Sequence, residues 1–144
     1  VLVVVLQISF NVQTAKHVQS TAEGWAVLIG YSGTNFAELG IYIALFFLVP
    51  LMEELIYRGL LQHVFFKHSR FGLDLLLPSI LFALPHFSNF PSLLDIFVFA
   101  TVGIIFAGLT RYTKSIYPSY AVHVINNIVA TLPFLLTFLH RVFG

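Results

Sequence analysis

The chain predicts an all-α, multi-pass transmembrane bundle: about four full spanning helices, preceded by a partial N-terminal helix and a short segment at the water interface. Three observations predict it. Hydrophobic residues make up 58% of the sequence and charged residues only 9%, against roughly 25% charged in an ordinary soluble domain. The apolar residues fall into long runs divided by short polar junctions. No alternating short strands of the kind a membrane barrel needs are present, so a spanning backbone must satisfy its N–H and C=O groups within helices. At 144 residues, without repeat, low-complexity tract or linker, the length fits a single domain, 1–144. A formal charge of +1 offers no basic surface to a nucleic acid, and the absence of cysteine excludes disulfides, thiolate metal sites and a cysteine nucleophile. The cell membrane is the expected location and lipid the expected solvent.

Each element follows from local pattern. Residues 1–10 are apolar with no basic stretch ahead of them, which reads as the stump of a spanning helix in a chain shortened at its N-terminus rather than as a signal peptide. Residues 11–20, with Lys16 and His17, form a polar loop; 21–32, with Trp25 and Tyr31, is too short to span and fits the interface. Gly30 and Gly33 break the chain, and Thr34 or Asn35 caps the next helix with Glu38 near its positive end. That helix is predicted over about 36–66, longer than the ~20 residues a crossing needs. Pro50 lies inside it, where it removes one backbone hydrogen bond and is expected to kink the helix. After a junction with Lys67, His68 and Arg70, a third apolar segment runs over 71–87 and contains Pro78 and Pro85. Residues 88–91 form the next break, and Ser92 caps a span over 93–109. In it Gly103 and Ala107, four apart, make a small-residue face that admits a close neighbour. The last segment, 117–139, opens with Pro118 in its first turn and ends at His140 and Arg141. If each segment crosses once, Lys67, Arg70, Arg111 and Lys114 share one face, which the distribution of basic residues makes cytoplasmic.

Glu53, Glu54 and Arg58 interrupt one of the most apolar runs in the sequence. Charges at membrane depth cost roughly 2.5 to 3.5 kcal/mol each, so the cluster asks for a function. Glu54 and Arg58 are four apart on one face and suit an ion pair. Glu53 points about 100 degrees away, on the side of Tyr57, and is left as the free carboxylate. His86 stands four residues after Phe82, and His123 and Asn127, four apart, share a face of the last segment with Asn126 beside it. Singly, each has a bland reading: a Glu-Arg pair is often structural, a membrane histidine bonds a neighbouring carbonyl, and an asparagine glues helices. Together they place a base, two imidazoles and an amide donor on three successive helices, the groups hydrolysis of an acyl bond needs. His17, His63, His68 and His140 lie near segment ends and read as interfacial.

Glu53-Glu54-x-x-x-Arg58, Phe82-x-x-x-His86 and His123-x-x-x-Asn127, in that order on hydrophobic helices, resemble the three motifs of the CPBP intramembrane proteases. That family includes the type II CAAX prenyl endopeptidases and bacterial bacteriocin-processing and self-immunity proteins. The resemblance covers about 36–139. It implies an intramembrane endopeptidase in which Glu53 and His86 activate water and His123 and Asn127 bind the oxyanion, with Glu54 and Arg58 in support. The implied substrate is a peptide or protein, prenylated or bacteriocin-like. Two imidazoles and a carboxylate also make a catalytic zinc set, with Glu53, His86 and His123 as candidate ligands. The helical His-Glu-x-x-His arrangement is absent, and the sequence leaves the metal open.

Two rival functions stand beside this one: a proton-coupled transporter using Glu53, and a non-enzymatic self-immunity or scaffold protein. Geometry separates them, since a protease needs its polar groups around one point. Straight full-span helices would not supply that, for His86 would lie about 22 Å into the membrane and His123 only about 10 Å.

Overall fold

The computed structural model describes residues 35–69, 72–86 and 93–143. The expected segments 1–10, 11–20 and 21–32, together with Arg70 and the caps at Thr34 and Ser92, lie outside these residues. Every regular element among the described residues is helical. The first helix, α1, covers residues 35–65 without a break in four stretches: α-helical Asn35–Ile43, π-helical Ala44–Leu48, α-helical Val49–Glu54 and π-helical Leu55–Phe65. Helix α2 is Leu73–Ala83, tightening into a 3₁₀ turn at Leu84–His86; α3 is Leu93–Thr113 and α4 is Tyr117–Phe143.

Two helices among the described residues are long and apolar enough to cross a membrane, Leu39–Phe65 with 27 residues and α3 with 21. The third apolar segment, expected over 71–87, is helical over Leu73–His86, and residues 71 and 87 lie outside the described residues. Leu73–His86 rises only about 20 Å, against an apolar thickness of about 30 Å. Its start is set by Gly72 in the left-handed conformation (φ 74°) and by Asp74, which pairs with Arg111 at 3.3 Å. That pair also sets the beginning of α2 beside the end of α3, as expected for antiparallel neighbours. Helix α4 has the length, 27 residues, but Ser119, His123, Asn126, Asn127 and Thr131 break up its apolar run.

Pro50 changes the register of α1 as well as removing a donor. Ahead of it the N–H of Val49 bonds the carbonyl of Ala44, five residues back, in the wide turn of a π-helix. The wide turn resumes after Glu54, and the N–H of Phe66 reaches Leu61 at 2.9 Å. Glu53 and Glu54 thus sit on a short α-helical island between two widened stretches.

Packing inverts the pattern of a soluble protein. Glu54, Arg58, Gln62, Ser119, His123 and Asn127 are buried, whereas Leu48, Met52, Leu60, Phe65, Ile105, Ile125 and Leu136 are exposed. Such a molecule suits lipid outside and a polar centre within. Around that centre stands an aromatic cluster of Phe82, Phe99 and Phe106 with Ala83 and Val98, against which Tyr57 packs. The predicted small-residue face is where α3 meets α2. A Cβ placed on Gly103 would lie 2.9 Å from Ser79 Cα and Cβ.

Candidate active site

Position 54 was expected to form a structural pair, and it does more. Its carboxylate is fully buried and its Oε1 lies 3.3 Å from Arg58 Nη1, a charge contact in which Nη1 lacks the alignment of a hydrogen bond. The same oxygen accepts a hydrogen bond from His123 Nδ1 at 3.1 Å. Glu54 Oε2 accepts one from the Ser119 hydroxyl. Arg58 in turn donates from Nη2 to the Gly103 carbonyl at 3.2 Å. Its guanidinium carbon stands 4.6 Å from the centre of the Phe82 ring and 5.3 Å from that of Phe106, cation–π contacts that are strongest where both groups are desolvated. One turn further, Gln62 donates to the Ala107 carbonyl at 2.9 Å.

Glu53 faces differently, as helical spacing requires, and is the less enclosed of the two acids: its side chain is 16% exposed and that of Glu54 0%. Two imidazoles converge on it. His123 Nε2 lies 3.4 Å from Oε2 and His86 Nε2 lies 4.0 Å from Oε1. Both rings are oriented from behind. His86 Nδ1 donates to the Phe82 carbonyl at 2.8 Å, and His123 Nδ1 donates to Glu54. With each Nδ1 committed, Nε2 is the nitrogen left to face the acid, the arrangement by which a protein fixes a histidine tautomer. Aromatic faces hold the rings in place: His86 against Phe82 and Phe99, at 4.7 and 4.5 Å between centres, and His123 against Phe106 at 4.9 Å.

Glu53 also lines a cavity of about 670 Å³ with otherwise apolar walls, formed by one side of α1 from Gly40 to Tyr57 and by Pro85 of the 3₁₀ turn. The site is brought together where the α-helix of α2 gives way to the 3₁₀ turn Leu84–His86, and residues 87–92 lie outside the described residues.

The fourth expected residue is placed apart. Asn127, one turn beyond His123 and buried, donates from Nδ2 to the carbonyl of Leu45 at 3.3 Å. The structure therefore gathers Glu53, His86 and His123 around one carboxylate, with Glu54 and Arg58 behind them, and directs the Asn127 donor to the backbone of α1. Sequence reasoning missed Ser119 and Gln62. Both were marked by spacing, since Ser119, His123 and Asn127 continue one stripe at intervals of four and Glu54, Arg58 and Gln62 another. Among the described residues no three carboxylate or imidazole groups stand so as to hold a metal ion. Glu53, His86 and His123 as arranged do not fit a zinc site, and no step below passes through a metal.

Comparison with curated proteins and with solved structures gives no match. A family model does match: the one described as type II CAAX prenyl endopeptidase Rce1-like covers residues 35–129. That range is more than half of the chain and contains all seven named residues of the three motifs. On these grounds the chain belongs to the Rce1-like family of type II CAAX prenyl endopeptidases, membrane-associated proteases within the CPBP group.

Proposed function

We propose that this protein is an intramembrane endopeptidase of the CAAX-protease type, which hydrolyses a peptide bond with water activated by Glu53 and His86. The observation that carries the reading is the division of labour between adjacent acids. Glu54 is sealed behind Arg58, Ser119 and His123, while Glu53 meets two histidine Nε2 atoms and borders the cavity. The 4.0 Å between Glu53 and His86 is the kind of polar separation that a bridging water spans.

In the proposed step, that water gives a proton to the Glu53 carboxylate as its oxygen bonds to the scissile carbonyl carbon. The carbonyl electron pair moves to oxygen, and the resulting oxyanion accepts a hydrogen bond from Nε2–H of a doubly protonated His123, whose Nδ1–H stays on Glu54. Glu53 then passes its proton to the leaving nitrogen, the C–N bond breaks, and a carboxyl terminus and an amine are released. The substrate is a peptide or protein at the membrane, prenylated or bacteriocin-like, whose apolar part lies along the walls of the cavity. In this reading the protein is a multi-pass bundle of the cell membrane, which the two helices long and apolar enough to cross support.

Purified protein in detergent tests this with a reporter peptide. Glu53→Ala and His86→Ala are each expected to reduce turnover by roughly 10²- to 10⁴-fold, the range for loss of a general base. Wild-type turnover in both variants would remove the assignment. A transporter would instead retain its structure without cleaving anything, and Glu53→Ala would abolish uptake.

A further inference from the structure

Two features of α1 and α4 fit each other in a way that the hydrolytic reading does not use. At the end of the π-helical stretch Ala44–Leu48 the N–H of Val49 bonds the carbonyl of Ala44, five residues back. The carbonyl of Leu45 is next in the ladder. Its α-helical donor would be Val49, which is engaged with Ala44; its π-helical donor would be residue 50, which is proline and has no N–H. A buried carbonyl without a donor is costly, and such groups find a partner elsewhere. Leu45 is 2% exposed, and the partner comes from another helix: the Asn127 amide donates to this carbonyl at 3.3 Å. On the other side, the Thr131 hydroxyl donates to the backbone carbonyl of Asn127 at 2.7 Å.

We infer that Asn127 is a positioning residue that supplies the Leu45 carbonyl with the donor Pro50 lacks, and so holds the wide turn of α1 that sets Glu53 and Glu54 against His123. Asn127 and His123 lie one turn apart on α4, and Leu45 lies two turns before Glu53 on α1. The bond therefore fixes the relation of the two helices that carry the acid and the imidazole. It also differs in kind from oxyanion binding, in which the same amide would be directed to substrate. The inference rests on the protease reading for its kinetic readout alone.

Pro50→Ala restores an N–H at position 50, so the test is a cycle of Asn127→Ala in the Pro50 and Pro50→Ala backgrounds of the full chain in detergent. Two readouts are taken: reporter-peptide kinetics and thermal midpoint. Asn127→Ala is expected to lower kcat at least tenfold, with KM changed less than threefold, when residue 50 is proline. In the Pro50→Ala background the loss should shrink to threefold or less, and the fall in midpoint should shrink with it. Equal losses in both backgrounds would overturn the inference and return Asn127 to the substrate. Should the wild-type protein cleave nothing, the protease reading fails while the midpoint cycle still decides this one. Where Pro50→Ala does not fold, carbon-13 spectra of the histidine rings of substrate-free Asn127→Ala decide instead. A shifted His123 resonance supports positioning, and an unshifted one alongside lost cleavage overturns it.

Discussion

At the scale of single residues, the buried charge of Glu54 is shared among two hydrogen-bond donors, Ser119 and His123, and the Arg58 cation, and each can be removed separately. Ser119→Ala leaves Oε2 without its hydroxyl. A buried acceptor deprived of its donor costs about 1 to 3 kcal/mol. The expected outcome is a lower thermal midpoint in detergent and a reduced kcat, because the acid that orients His123 is itself less well held. Arg58→Met should cost more, about 3 to 5 kcal/mol, since it leaves a carboxylate uncompensated inside the bundle. Glu54→Gln combined with Arg58→Met should recover part of that loss. A midpoint for Arg58→Met equal to wild type would mean that His123 and Ser119 suffice and the ion pair contributes nothing. The spacing of Glu54 and Arg58 made their contact legible from the chain alone. That Glu54 also grips His123 was not, because it needs α1 and α4 brought face to face across 69 residues.

Elements show the same division between local and distant causes. Gly103 and Ala107 marked a close-packed face, and α3 does approach α2 there. Gly103→Val would drive its methyl groups into the backbone of Ser79, which sits too close for a flexible side chain to yield. The expected result is a loss of about 1 to 3 kcal/mol, the usual cost of overpacking, read from thermal unfolding. Arg58 would lose its carbonyl acceptor on α3 if the helices parted, so cleavage should fall with stability. Helix α1 was legible in extent and in its acidic island, but its wide turns were not. A proline in an apolar run announces a missing donor; which group then bonds the carbonyls nearby is not written in the run, and here the donor to Leu45 comes from α4. Helix α2 was legible as an apolar segment, but the pairing of Asp74 with Arg111 at its start and the 3₁₀ turn at Leu84–His86 were not, since neither leaves a mark in hydrophobicity.

For the molecule as a whole, composition alone announced a helical bundle, and Glu54, Arg58, His123 and Asn127 lie inside it while many large apolar side chains face outward. An arginine on the outer face tests this directly. Ile105 is 57% exposed, and Ile105→Arg should impair insertion by roughly 2.5 to 3.5 kcal/mol, seen as a smaller fraction of protein resisting alkaline extraction from membranes. Insertion equal to wild type would place that face of α3 in water or against protein. The number of crossings was harder to read, because length and polarity decide it separately for α2 and α4. One consequence concerns counting. The cavity beside Glu53 is walled by residues on both sides of the wide turn at Ala44–Leu48, and a wide turn holds one residue more than an α-helix needs. Deleting the half-exposed Phe47 would let the ladder close as ordinary α-helix with little rotation of the residues before it, because four α-helical residues sweep about the angle that five do in a wide turn. Gly40 and Ile41 would then keep facing the cavity, whereas a residue removed from an α-helical stretch between them and Glu53 would turn them by about 100 degrees relative to the acid. The wide turn is thus a place where the chain can change length and leave the walls of the site where they are.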